Sequence, residues 1–127
     1  MRYAALMLFQ FRSVRNGVAN KKRVCEERII IFFENDPDVA YKKALDRGKE
    51  EETFYEDNGA EIYFEFIGIA ELVELGASLE NDEVWWRLFE KVQPMENRKK
   101  IIPDKNQLLA FKSGGKRKRG QLLVPKK

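Results

Sequence analysis

The chain has 127 residues, 43% hydrophobic and 12% aromatic, which specifies a globular domain with one core and excludes a disordered polymer. Its net charge of +3 hides three zones: +6 over residues 1–23, −12 over 24–92 and +9 over 93–127. The chain contains no histidine, which removes the commonest general base, the commonest metal ligand and every His-dependent nucleophile pair.

The longest apolar run, Tyr3 to Phe9, falls far short of the ~20 residues of a membrane span. It also lacks the flanks of a secretory signal, with Gln10-Phe11-Arg12 where a small-residue cleavage site would stand. The expected setting is the cytoplasm, with no membrane contact. The single cysteine, Cys25, forms no internal disulfide, in keeping with a reducing compartment.

Tyr3 to Phe11 reads as a first strand, apolar on both faces at its start and therefore central in a sheet. Asn16-Gly17 signals a tight turn, since both residues tolerate positive φ. Val24 to Glu34, with Ile29-Ile30-Ile31-Phe32-Phe33, is a second strand antiparallel to the first. Asp36-Pro37-Asp38 then opens a helix: Asp36 caps, Pro37 suits the first position, and Asp38 complements the positive end of the dipole. Ala40, Tyr41, Ala44, Leu45 and Gly48 make one stripe of mostly small residues, which predicts close seating on the sheet.

After the Asn58-Gly59 turn, Glu61 to Leu75 alternates. Ile62, Phe64, Phe66, Ala70 and Leu72 are predicted on a core face, and Glu61, Tyr63, Glu65 and Glu71 toward water. A straight strand of that length would run ~50 Å, against a radius of gyration of ~14 Å for such a domain. Gly68 is the residue predicted to bend it. A further turn over Gly76 to Asp82 leads to a last strand, Val84 to Glu90. The expected architecture is α+β, an antiparallel sheet of about four strands in the order β-β-α-β-β with one packed helix.

Residues 1–92 are the predicted domain. Residues 93–113 form a basic extension, irregular from Met95 to Ile102, with a short helix capped by Asp104 and Gln107 and an apolar face of Leu108, Leu109 and Phe111. Residues 114–127 are expected to be a flexible basic tail.

No catalytic, cofactor or metal motif emerges. Glycine-rich phosphate loops of known spacing are absent, and so is a Glu-x-Lys element of the kind metal-dependent nucleases use. Glu50-Glu51-Glu52 is a consecutive run that spreads around a helix instead of converging on an ion, and a solvated face is the preferred reading. Cys25 lies beside Glu26 and Glu27, whose charge raises a thiol pKa, so it is read as an ordinary strand residue. Trp85 and Trp86 point to opposite faces of their strand. One ring is core; the other is either covered by the C-terminal segment or a partner-binding or dimer hot spot, with cover preferred. Lys116, Arg117, Lys118 and Arg119 suit phosphate contacts on a nucleic acid, but no aromatic residue is interleaved for base stacking.

Four stretches carry a family resemblance: the Tyr3-Ala4-Ala5 strand, Glu26-Glu27-Arg28-Ile29, Glu71-Leu72-Val73-Glu74-Leu75, and Val84-Trp85-Trp86-Arg87-Leu88-Phe89. Over roughly residues 1–92 the chain resembles domain-of-unknown-function family 4288, a small bacterial family. The resemblance implies a bacterial α+β domain and brings no catalytic residues with it. Glu26-Glu27-Arg28 is its most polar element, read as a structural cross-strand ion pair.

The functional expectation is a non-enzymatic interaction domain, an immunity or antitoxin-like protein whose acidic face meets a basic toxin. That face is expected to run from Glu50, Glu51 and Glu52 to Glu61, Glu65 and Glu71, with Trp85 and Trp86 as further partner contacts. The alternative is an accessory protein that binds nucleic acid through its tail. A homodimer is compatible with either reading.

Overall fold

The computed structural model of the chain describes residues 1–75 and 87–112. The strands are β1 (Arg2–Arg15), β2 (Val18–Ala19), β3 (Lys22–Phe33), β4 (Thr53–Asp57), β5 (Ala60–Leu75) and β6 (Arg87–Val92). The helices are α1 (Pro37–Glu50) and the short α2 (Arg98–Ile101), followed by two 3-10 turns, Lys105–Gln107 and Leu109–Phe111. One antiparallel sheet runs β4-β5-β1-β3-β6, with β2 paired to β1. β1 lies between β3 and β5, the central place its two apolar faces require.

The α+β class is as expected, but the sheet has six strands instead of four. The two additions are the short ones. Asn16 and Gly17 turn with φ of 52° and 76°, and the two residues of β2 pair straight back on β1. Asn58 and Gly59, at 50° and 81°, fold Thr53–Asp57 back on β5 in the same way. Such short segments carry too little alternation to register as strands; tight turns and a waiting neighbour make them so. Of the predicted last strand, Arg87–Val92 is β6, and Val84, Trp85 and Trp86 lie outside the described residues.

Helix α1 begins as its sequence dictates. Asp36 Oδ1 accepts the Val39 N–H at 3.0 Å, and Pro37 opens the first turn. Ala40, Ala44 and Gly48 are buried against the sheet. A Cβ on Gly48 would lie 2.6 Å from the Phe66 ring, so the helix stands as close as a glycine permits.

Strand β5 is bent by two bulges, not one. Its register on β1 shifts between Leu6 and Met7 and again between Leu8 and Phe9, leaving Ala70 and Ile67 unpaired on either side of Gly68 and Ile69. Each bulge reverses the alternation. Ile69 therefore joins Phe64, Phe66 and Leu72 on the helix side, while Ala70 packs with Ala4, Leu6, Val73 and Leu75 on the other. The predicted grouping of Ala70 with Phe64, Phe66 and Leu72 on one core face is thereby corrected.

The opposite face is not left to water either. Met95, Ile101 and Ile102 of the extension cover Leu8, Cys25 and Ile67 there. Further on, Leu109 packs with that face, while Leu108, Ala110 and Phe111 join the helix-side core. The extension thus wraps the β5 edge beyond the point where β4 stops, at Thr53 opposite Phe64. Leu108, 1% exposed, is as much core as any strand residue. The residues read as irregular include α2, and the helix predicted after Pro103 is a 3-10 turn in which Gln107 Oε1 accepts the Asp104 N–H at 3.0 Å.

Candidate interaction surface

All five residues of β4 are exposed, and β4 is an edge of the sheet. Phe54 is 50% and Tyr55 46% exposed. Their strand places them on opposite faces, opposite Tyr63 and Ile62 of β5. The Phe54 ring packs on Tyr63 with centroids 5.0 Å apart, and the Arg12 guanidinium lies 4.4 Å from the Tyr63 centroid. Phe54, Tyr63 and Arg12 therefore form a continuous stack across three strands. Glu56 and Glu61, a cross-strand pair on the same face, lie at its outer end, and the Tyr63 hydroxyl donates to Glu61 Oε2 at 2.7 Å. That hydrogen bond is the main cause of a raised Tyr63 pKa.

Arg12 also anchors a buried polar chain that crosses the sheet. Its Nε and Nη2 donate to Glu65 at 2.8 and 3.1 Å, and Gln10 Nε2 donates to Glu65 Oε1 at 2.9 Å. Gln10 Oε1 accepts from Arg23 Nη1 at 3.1 Å and from the Met95 N–H at 3.3 Å. Arg23 grips Glu96 with both prongs, at 2.6 and 2.9 Å, and its Nε donates to the Asn20 carbonyl at 2.7 Å. Gln10 and Arg23 are almost wholly buried. All three guanidinium nitrogens of Arg23 donate to an acceptor, which is what permits the charge there.

The acids singled out in the sequence do not make one face. Glu50 is exposed at the end of α1. Glu51 accepts from Arg47 at 2.8 Å and Arg28 at 3.2 Å. Glu52 accepts the Phe66 N–H at 3.0 Å, where β5 has run past β4. Glu65 is taken up by Arg12 and Gln10, and Glu71 accepts the N–H groups of Leu72 and Leu109 at 3.0 and 2.7 Å. Glu61 alone of these acids joins the exposed hairpin. Trp85, Trp86, Lys116, Arg117, Lys118 and Arg119 lie outside the described residues.

The carboxylate pKa values follow these contacts. The Arg47 hydrogen bond holds Glu51 below its ordinary value, and Arg23 does the same for Glu96. For Glu65, burial opposes ionisation, but bonds from Arg12 and Gln10 outweigh it and the pKa is lowered. Burial pushes the Cys25 thiol up to about 11, so this cysteine is no nucleophile at neutral pH. Among the described residues, no group of three or more Cys, Asp or Glu side chains is arranged to hold a metal ion. Nor is any described helix long and apolar enough to cross a membrane.

The Glu26-Glu27-Arg28 element also carries contacts beyond the sheet. Arg28 pairs along its own strand with Glu26 and across to Glu51 at the end of α1, while its guanidinium lies 5.0 Å from the Phe64 ring centroid. The pair ties the helix end to the sheet.

A family model for a domain of unknown function (DUF4288) matches residues 2–86. The chain belongs to the DUF4288 family. No curated protein and no solved structure matches the chain. The DUF4288 match takes in β1 to β5 and α1 and ends before β6; the extension that supplies Glu96, Ile102 and Leu108 lies beyond it.

Phe54, Tyr55, Arg23 and Glu96 carry no strong signal in the sequence. Phe54-Tyr55 lies between acids in a segment too short to read as a strand. Arg23 closes a Lys21-Lys22-Arg23 run, yet it stands two residues before the buried Cys25 and so shares its face.

Proposed function

We propose that this DUF4288 domain is a non-enzymatic protein-interaction module that meets its partner through the β4–β5 hairpin. The observation that carries the reading is the edge strand β4, exposed at all five residues, with Phe54 on the Tyr63–Arg12 stack and Tyr55 half exposed on the other face. An exposed strand edge accepts another strand by main-chain pairing, and Tyr and Arg are residue types that dominate interface energies. Glu56, Asp57 and Glu61 give the hairpin tip an acidic rim, which favours a basic partner. An immunity or antitoxin-like role against a basic toxin fits that chemistry, as does a cytoplasmic setting.

The test is capture from the native host with intact and Phe54→Ala/Tyr55→Ala protein, followed by co-expression with the captured product. Capture of one basic protein by the intact domain, its loss with the variant, and rescue of growth on co-expression support the role. Equal capture by both forms removes the hairpin as the site, and a hairpin-dependent second copy in place of another protein would make it a dimer interface.

A second reading is nucleic-acid binding through the basic C-terminal region. It draws on the Lys116-Arg117-Lys118-Arg119 run of the sequence, with Arg98, Lys99 and Lys100, exposed on α2, as a secondary basic patch. It predicts salt-dependent binding that is lost when residues 114–127 are deleted. Binding that survives the deletion, or none at low salt, ends it.

A further inference from the structure

A second recognition feature lies on the same edge of the sheet, away from the hairpin. Where β4 stops, β5 continues alone, and the extension closes over it only in part. An open cleft of about 470 Å³ remains, within the ~300–1,000 Å³ usual for small-molecule sites. It straddles the strand edge: the buried Ile67, Gly68 and Ile69 lie beneath its floor, and the half-buried Tyr41, Leu45 and Ile102 give its accessible apolar lining. The two bulges turn Ile67 and Ile69 to opposite faces of the sheet while leaving both beside the opening.

The rim of this cleft is cationic. Arg98, Lys99 and Lys105 line it against a single acid, Asp104. Lys105 is fixed in place: its Nζ lies 2.6 Å from Asp38 and within 5.3 Å of the Tyr41 and Phe111 ring centroids. Arg98 and Lys99 are exposed. Gly68 sets the depth. A Cβ there would lie 3.0 Å from Ile102 Cγ1 and Cγ2, so any larger residue would push Ile102 into the opening.

We propose that this cleft binds a small carboxylate with an aliphatic or aromatic body, the body on Tyr41, Leu45 and Ile102, above Ile67 and Ile69, and the head on Arg98 and Lys99. An apolar floor with charge on one side demands an amphiphile. The excess of cations demands an anion, and the planar guanidinium fork of Arg98 matches a carboxylate. The floor belongs to the DUF4288-matched residues and the cations to the segment beyond them, so the anion preference is supplied by the extension.

The experiment is titration of the full chain with decanoate, read on the methyl resonances of Ile67, Ile69 and Ile102. Acetate (head alone) and decanol (body alone) serve as controls. Saturable shifts with decanoate, weaker by about tenfold or more with decanol and absent with acetate, are expected. Arg98→Glu with Lys99→Glu, both at exposed positions, should weaken decanoate about tenfold or more and leave thermal unfolding unchanged. Gly68→Val should weaken it through Ile102, whatever the charge. No saturable shift, or shifts indifferent to the charge reversal, would overturn the proposal. None of these readouts depends on the hairpin, so failure here leaves the interaction reading standing, and the reverse.

Discussion

Arg23 on β3 and Glu96 in the C-terminal extension form a two-pronged ion pair, 2.6 and 2.9 Å, with Arg23 only 2% exposed. It joins a strand inside the DUF4288 match to a segment outside it. Glu96→Gln keeps the shape and removes the charge, so the guanidinium is left buried without its counter-ion. Glu96 is half exposed, which tempers the cost to about 2 kcal/mol. Urea unfolding should show a lower midpoint; a change below about 0.5 kcal/mol would mean the pair is ornamental.

The same carboxylate makes stability depend on pH, together with Glu51 and Glu65. All three have folded pKa values below 4.5, the value in an unfolded chain. The unfolded state therefore binds more protons in the acid range, and stability rises with pH there. Their contribution is complete above about pH 4.5 and disappears as pH falls through the lowered folded values. Unfolding at pH 7 and pH 3 should differ, and the difference should shrink in Glu65→Gln/Glu96→Gln. An undiminished difference would place the acid sensitivity elsewhere.

Gly48→Ala sets helix propensity against packing. Alanine is better by about 1 kcal/mol in a helix interior. Its Cβ, however, would stand 2.6 Å from the Phe66 ring, which itself packs on Phe9 at 5.3 Å. Overpacking of this kind costs about 1–3 kcal/mol, so the variant should be less stable. A higher melting temperature would show that the helix can lift off the sheet.

Cys25 should resist thiol reagents. With its pKa at about 11 and no exposed surface, it should react with Ellman's reagent at pH 8 only after denaturation. Prompt reaction of the folded chain would reveal an opening between β3 and the extension.

Phe54→Ala with Tyr55→Ala should separate folding from binding. Both side chains are about half exposed, and the Phe54–Tyr63 contact is one cross-strand pair, so the stability cost should stay near 1 kcal/mol. If the hairpin is the interface, the same change should cost 2 kcal/mol or more, roughly thirtyfold, in partner affinity.

Much of this molecule can be derived from local chemistry. The Asp36-Pro37 start of α1, the Asn16-Gly17 and Asn58-Gly59 turns and the central place of β1 each follow from residues that allow few alternatives. Apolar content and period two suffice for an antiparallel sheet with a helix on it, and the absence of histidine alone narrows the chemistry. What pattern could not supply is partnership. The bulges at Ile67 and Ala70 arise from pairing with β1, and they reverse which residues face the helix. Arg23 and Glu96, 73 residues apart, meet only when the extension folds over the sheet. The acids that look like one face in the chain are divided among arginines and backbone N–H groups by the same tertiary contacts. A strand's period says which residues share a side, but burial and pairing are set by what the rest of the chain brings to each side.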